Sequence, residues 1–156
     1  MKNQKGFSLV ELLLVVAVIG VIASIAIPNL IASRRASNEA SAQSSLRTIF
    51  SGQVAYQTTT GGGAFAADLA TLENGKIIDP ALGSGTKSGY TFAVVEQSGL
   101  GLTAVFGCYG VPTITSGVGV TGSRRLGITE VGIIRGDATI ATTPNTRALI
   151  NGMPPL

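Results

Sequence analysis

Histidine and tryptophan are absent from these 156 residues, and cysteine occurs once, as Cys108. Without histidine, the common acid/base and nucleophile-activating arrangements have no base, and the common zinc sites lose a principal ligand. No carboxylate cluster with metal-ligand spacing replaces them, so no enzyme activity is expected, and no catalytic, cofactor-binding or metal residue is assigned. A lone cysteine cannot close an internal disulfide. Aromatic residues are 5% of the chain, too few for a stacked path that would carry bases or electrons. Basic residues pair only at Arg34-Arg35 and Arg124-Arg125, so nucleic acid is not an expected partner. Glycines 61–63 are not a phosphate loop, because no GK[ST] follows them. Charged residues make up 12%, against about 25% in an average soluble domain.

Much of that shortfall comes from one stretch. Residues 6–31 read GFSLVELLLVVAVIGVIASIAIPNLI, and every residue from 12 to 23 is apolar or glycine. A membrane-spanning helix needs about 20 such residues. A secretory signal would have a shorter apolar core and a small-residue cleavage site, of which Ser24-Ile25-Ala26 is a poor imitation. The helix is therefore expected to stay in the mature protein. Glu11 is the anomaly, since a carboxylate at mid-bilayer costs about 2.5–3.5 kcal/mol on insertion scales. It lies about 6 Å along the helix from Phe7, close enough to snorkel to the headgroups near the positive end of the helix dipole.

A second account takes in what precedes it. Gly6 ends the short basic leader MKNQKG, and Phe7 opens FSLVE, with Ile27-Pro28-Asn29 further on. Together these residues resemble the class III signal of type IV prepilins. The resemblance implies cleavage after Gly6 by a membrane prepilin peptidase and N-methylation of Phe7, with the apolar helix retained. It implies a homo-oligomeric helical filament, drawn from the lipid bilayer by inner-membrane assembly machinery, in which Glu11 neutralises the Phe7 amine of a neighbour. It also suggests that Gly20 to Pro28 is a kink or melting site, since Pro28 has no amide hydrogen and crowds the carbonyl of Ser24. Many pilins close a C-terminal loop with a disulfide; here packing and hydrogen bonds must hold it. The implied location is a single pass through the inner membrane, then a pilus on the cell surface. Charges flanking the span do not fix orientation, with Lys2 and Lys5 on one side and Arg34, Arg35 and Arg47 on the other. The alternatives are a pseudopilin of a type II secretion system, which would remain periplasmic, or a minor pilin. A membrane-anchored binding domain that never polymerises would leave Gly6, Phe7 and Glu11 without a role.

The rest of the chain reads as an α+β head: a long N-terminal helix packed on a small antiparallel β-sheet, as in type IV pilins. Five segments are expected: leader 1–6, apolar half-helix 7–31, amphipathic half-helix 32–57, loop and sheet 58–140, and tail 141–156. The whole helix would be about 75 Å long. In its second half Ala42, Leu46, Ile49, Phe50 and Val54 recur at helical spacing, with Ser44, Arg47 and Ser51 elsewhere. Residues 58–63 (TTTGGG) should end it. A short helix over 65–72 and a turn over 79–83 follow. The period then becomes two. Tyr90, Phe92 and Val94 alternate in one strand, and Leu102, Ala104, Phe106 and Cys108 in the next, which puts Cys108 on the face of Phe106 as a small buried hydrophobe. A second hairpin is expected from Leu126 and Ile128 through a turn at 130–132 to residues 133–135. No period is legible after residue 141.

Overall fold

The computed structural model describes residues 7–138 and 142–156. The leader with Gly6 lies outside these residues, as does the start of the tail at Ala141. Two compact units are present, 1–34 and 35–156.

Helix α1, Leu9–Thr58, enters both units. In the first, all fifteen Phe, Leu, Val and Ile side chains from Phe7 to Leu30 are at least 51% exposed. In the second, Ala42, Leu46 and Ile49 are fully buried, and half-buried Phe50 packs beside them. Val54 departs from the expected stripe and is exposed; Gly52 and Gln53 are buried instead. The reason is Gln53's amide, which accepts from the Ala66 N–H at 2.7 Å and donates to the Ala66 carbonyl at 3.0 Å. Both main-chain polar groups of buried Ala66 are thereby satisfied, which apolar Val54 could not do.

After α1 come two short helices. α2 is Leu69–Asn74, starting four residues later than expected, because Asp68 accepts from both the N–H and the hydroxyl of Thr71 and sets the cap there. Phe65 and Ala66 are buried ahead of it. The expected turn at 79–83 is wound into one helical turn, α3, Pro80–Gly83, with proline at its first position.

Five antiparallel strands follow in sequence order: β1 Thr86–Lys87, β2 Tyr90–Ser98, β3 Val105–Pro112, β4 Arg125–Thr129 and β5 Arg135–Asp137. Cα pairs such as Val94 with Cys108 and Cys108 with Ile128 set the register. Phe92, Phe106, Cys108, Leu126 and Ile128 therefore share one face, and they join the buried residues of α1 in one core. The β3 strand begins later than expected. Leu102 and Thr103 form a single 3-10 turn, Gly101–Thr103, and Leu102 is wholly exposed. A bulge between Val95 and Ser98, with Glu96 at φ +51°, ends the regular pairing of β2 before the turn. The second hairpin turns at 130–132 as expected, but its return strand starts only at Arg135.

The tail is ordered on the sheet's other face. Helix α4, Arg147–Gly152, is capped by the Thr146 side chain, which accepts from the Leu149 N–H. Its buried Ile150 lies over Gly107 and Gly127: a Cβ on Gly127 would stand 2.7 Å from Ile150 Cγ2 and 2.9 Å from Met153 Cε. Backbone bonds from Gly136 N–H to Pro154 O and from Leu156 N–H to Ile134 O close the outer edge of β5. Arg147 pairs with Glu130, and Arg135 donates to the Met153 carbonyl. These contacts hold the C terminus without a disulfide.

The Gly107 and Gly127 trough makes a prediction. Gly127→Val should lift α4 off the sheet and destabilise the head by about 1–3 kcal/mol, the usual range for overpacking. Denaturant unfolding of the detergent-solubilised protein, with limited proteolysis of its C terminus, would measure this. An unchanged midpoint and a resistant C terminus would show that α4 is held some other way.

Candidate functional site

The N-terminal end of α1 is the feature that no core requirement explains. Side chains from Phe7 to Leu30 are spread around the whole helix surface and bury nothing in the subunit. By length and composition α1 is long and apolar enough to cross a membrane. Burying a large apolar side chain is worth about 1.5–3 kcal/mol, so fifteen of them exposed to water would cost tens of kcal/mol. This surface requires lipid or other helices.

Glu11 stands at the start of that surface in a defined geometry. The Ser8 N–H donates to Glu11 Oε2 at 2.9 Å, and the Ser8 carbonyl accepts from the Leu12 N–H at 3.3 Å. With α1 beginning at Leu9, Ser8 is the flanking residue and Glu11 the third helical one, the spacing at which a carboxylate reaches back to an otherwise unsatisfied amide. The Ser-x-x-Glu pattern of Ser8 and Glu11 is legible in the sequence, although hydropathy alone marks Glu11 only as a charge in an apolar run. Phe7 is 90% exposed one residue before it. The structure thus brings Phe7, Ser8 and Glu11 to one helix end, with a negative group where the helix dipole is positive.

Gly20 and Pro28 lie elsewhere on α1. A Cβ on Gly20 would meet nothing within 4 Å, and Pro28 sits inside the helix with helical residues on both sides. Among the described residues, no group of His, Cys, Asp and Glu could hold a metal ion. Cys108 is fully buried beneath the sheet, and burial pushes its thiol well above the ordinary range.

Residues 1–27 match the family model described as the prokaryotic N-terminal methylation motif. The chain is 35% identical over 98 residues to the type IV wide pilus major component PilA4 of Thermus thermophilus, covering 63% of this chain and 69% of that protein. This chain belongs to the type IV pilin family. The pilin is also 40% identical over 54 residues to the type IV major pilin protein PilA of Myxococcus xanthus, a match spanning 35% of the pilin and 24% of that relative. No solved structure matches the pilin. Its five-stranded antiparallel sheet against a long N-terminal helix is the α+β arrangement expected of such a pilin.

Proposed function

We propose that this pilin is the fibre-forming subunit of a type IV pilus, a structural protein and not an enzyme. The exposed apolar half of α1, headed by Phe7 and Glu11, carries the reading. Before assembly that half spans the inner membrane with the leader on the cytoplasmic side. Prepilin peptidase hydrolyses the bond between Gly6 and Phe7, and N-methylation leaves the new amine positively charged. The assembly machinery then moves subunits one at a time into a helical bundle, where neighbouring helices take over the surface lipid had covered.

In that bundle Glu11 of one copy faces the Phe7 amine of another. Away from water the attraction sets the axial register, and the contact is head-to-tail, which yields an open fibre. Pro28 leaves the Ser24 carbonyl without its intrahelical donor, and Gly20 adds backbone freedom, so 20–28 is where the helix loosens on assembly. Both relatives are named as major pilus subunits, which favours this reading over a pseudopilin or a minor pilin.

The test begins at the leader. With Gly6→Leu, the precursor should accumulate in the membrane at full length, and intact-mass measurement should find no chain starting at methylated Phe7. Mature protein recovered from this variant would show that the cleavage assignment is wrong.

A further inference from the structure

We propose that the Leu100 and Leu102 turn of one head inserts into the cleft between α2 and β2 of a second copy of this chain. The contact would join head to head in the fibre, so it deepens the fibre-forming reading and rests on it.

The turn between β2 and β3 is held so that its leucines project. Leu100 and Leu102 are 65% and 107% exposed, and neither belongs to the head's own core. Gly101 is pinned on both sides: its N–H donates to the Gly63 carbonyl at 2.8 Å, and its carbonyl accepts from Gln57 Nε2 at 3.1 Å. Gly99 and Gly101 take φ angles of +79° and +58°, a region that leucine avoids, so the glycines make the bend and the leucines stay outside it. From 97 to 123 the chain has no Asp, Glu, Lys or Arg, and the turn carries no charge that would oppose burial.

The cleft lies at the outer edge of β2. Its volume is about 290 Å³, and Leu69, Ala70, Phe92 and Val94 are among its lining residues. A cavity of about 150 Å³ admits a benzene-sized apolar group, so this one has room for both leucines. The carboxylate at its rim, Asp68, is turned to the start of α2, where it accepts from the N–H and hydroxyl of Thr71. The main chain of β2 favours a polypeptide as the occupant. Because the Phe92 N–H donates to the Gly85 carbonyl at 2.7 Å, Phe92 and Val94 direct their N–H and C=O groups away from β3. Those of half-buried Val94 have no partner among the described residues, and an unpaired strand edge is met by another main chain.

A second copy supplies that main chain. Ser98, where the turn begins, is about 13 Å along β2 from Val94, so a turn pinned to Gly63 and Gln57 does not reach its own cleft. Projection and cleft are therefore unlike patches on one head. Two such patches that fit each other make a contact that does not close, and it propagates as an open fibre.

The experiment uses fibres of the full processed chain, sheared from cells and oxidised with copper phenanthroline in air. Leu102→Cys is combined in turn with Ala70→Cys and with Ser84→Cys, both on the exposed rim of the cleft, while buried Cys108 stays out of reach. A non-reducing gel should show a ladder of three or more linked copies for the double variants and no ladder for any single variant. Fibres that give no ladder with either pair, or a disulfide formed inside one copy, would overturn the contact and leave the fibre-forming reading standing. Leu102→Asp should lower the yield of sheared fibres several-fold while processed subunit in the membrane stays at the parent level, and a parent-like yield would also overturn the contact. A parent protein that forms no fibres would remove the fibre-forming reading and the proposal together.

Discussion

Glu11→Ala should leave the subunit inserted in the membrane and processed, while the yield of sheared fibres falls by orders of magnitude. Two unit charges about 4 Å apart at an effective dielectric constant near 20 attract by about 4 kcal/mol. Lost at each subunit contact, that corresponds to about a thousandfold in affinity. The same substitution also strips the Ser8 amide of its acceptor, so a second variant separates the two roles. Glu11→Gln keeps an oxygen for Ser8 but not the charge. If pairing with a neighbour's amine is what matters, the Gln variant should assemble as poorly as the Ala variant. Normal fibre yield from either would sink the pairing, and rescue by Gln alone would reassign Glu11 to capping its own helix.

Phe106→Ala should be the most damaging single change in the head. Phe106 is fully buried on β3, with the Phe65 ring centroid at 4.6 Å and that of Phe50 at 6.3 Å. Its ring therefore joins the buried approach to α2, the stripe of α1 and the inner face of the sheet. Truncations of this kind cost about 3–5 kcal/mol, a large part of the roughly 5–15 kcal/mol that holds a domain folded. Cys108 supplies a readout beside the denaturation midpoint. Its thiol is fully buried two residues along the same face, and burial holds it in the unreactive neutral form. A thiol reagent should modify it slowly in the parent protein and far faster in the variant, in step with opening of the core. A parent-like midpoint and a protected thiol would show that the aromatic cluster is not central to the fold.

The parts of this architecture that were legible from the sequence are those in which one periodicity runs for long enough to exclude its rivals. The apolar run, the Ala42, Leu46 and Ile49 stripe and the alternation through Tyr90, Phe92, Phe106 and Cys108 all lie where they were expected. The departures have local causes. A buried glutamine satisfying Ala66 took the place expected of Val54, and the Asp68 cap moved the start of α2. Helix α4 is six residues long, too short for a period to declare itself, and it is placed by a trough whose glycines come from two different strands. At the N-terminal end the composition announced Phe7 and Glu11, but the bond that defines Glu11's geometry runs to Ser8, a residue the hydropathy pattern treats as an interruption.

The strand order carries a further consequence, for the timing of folding. Every pairing in the sheet joins strands that are neighbours in sequence, so contact order within the sheet is low and no pairing closes a loop longer than that between Pro112 and Arg125. In a chain made from its N terminus, all five strands precede residues 147–152 and can pair before them. Until those residues pack, Gly107 and Gly127 form an open furrow on a finished sheet. Helix α4 is then the element that seals the domain, and its packing over Gly107 and Gly127 completes the head.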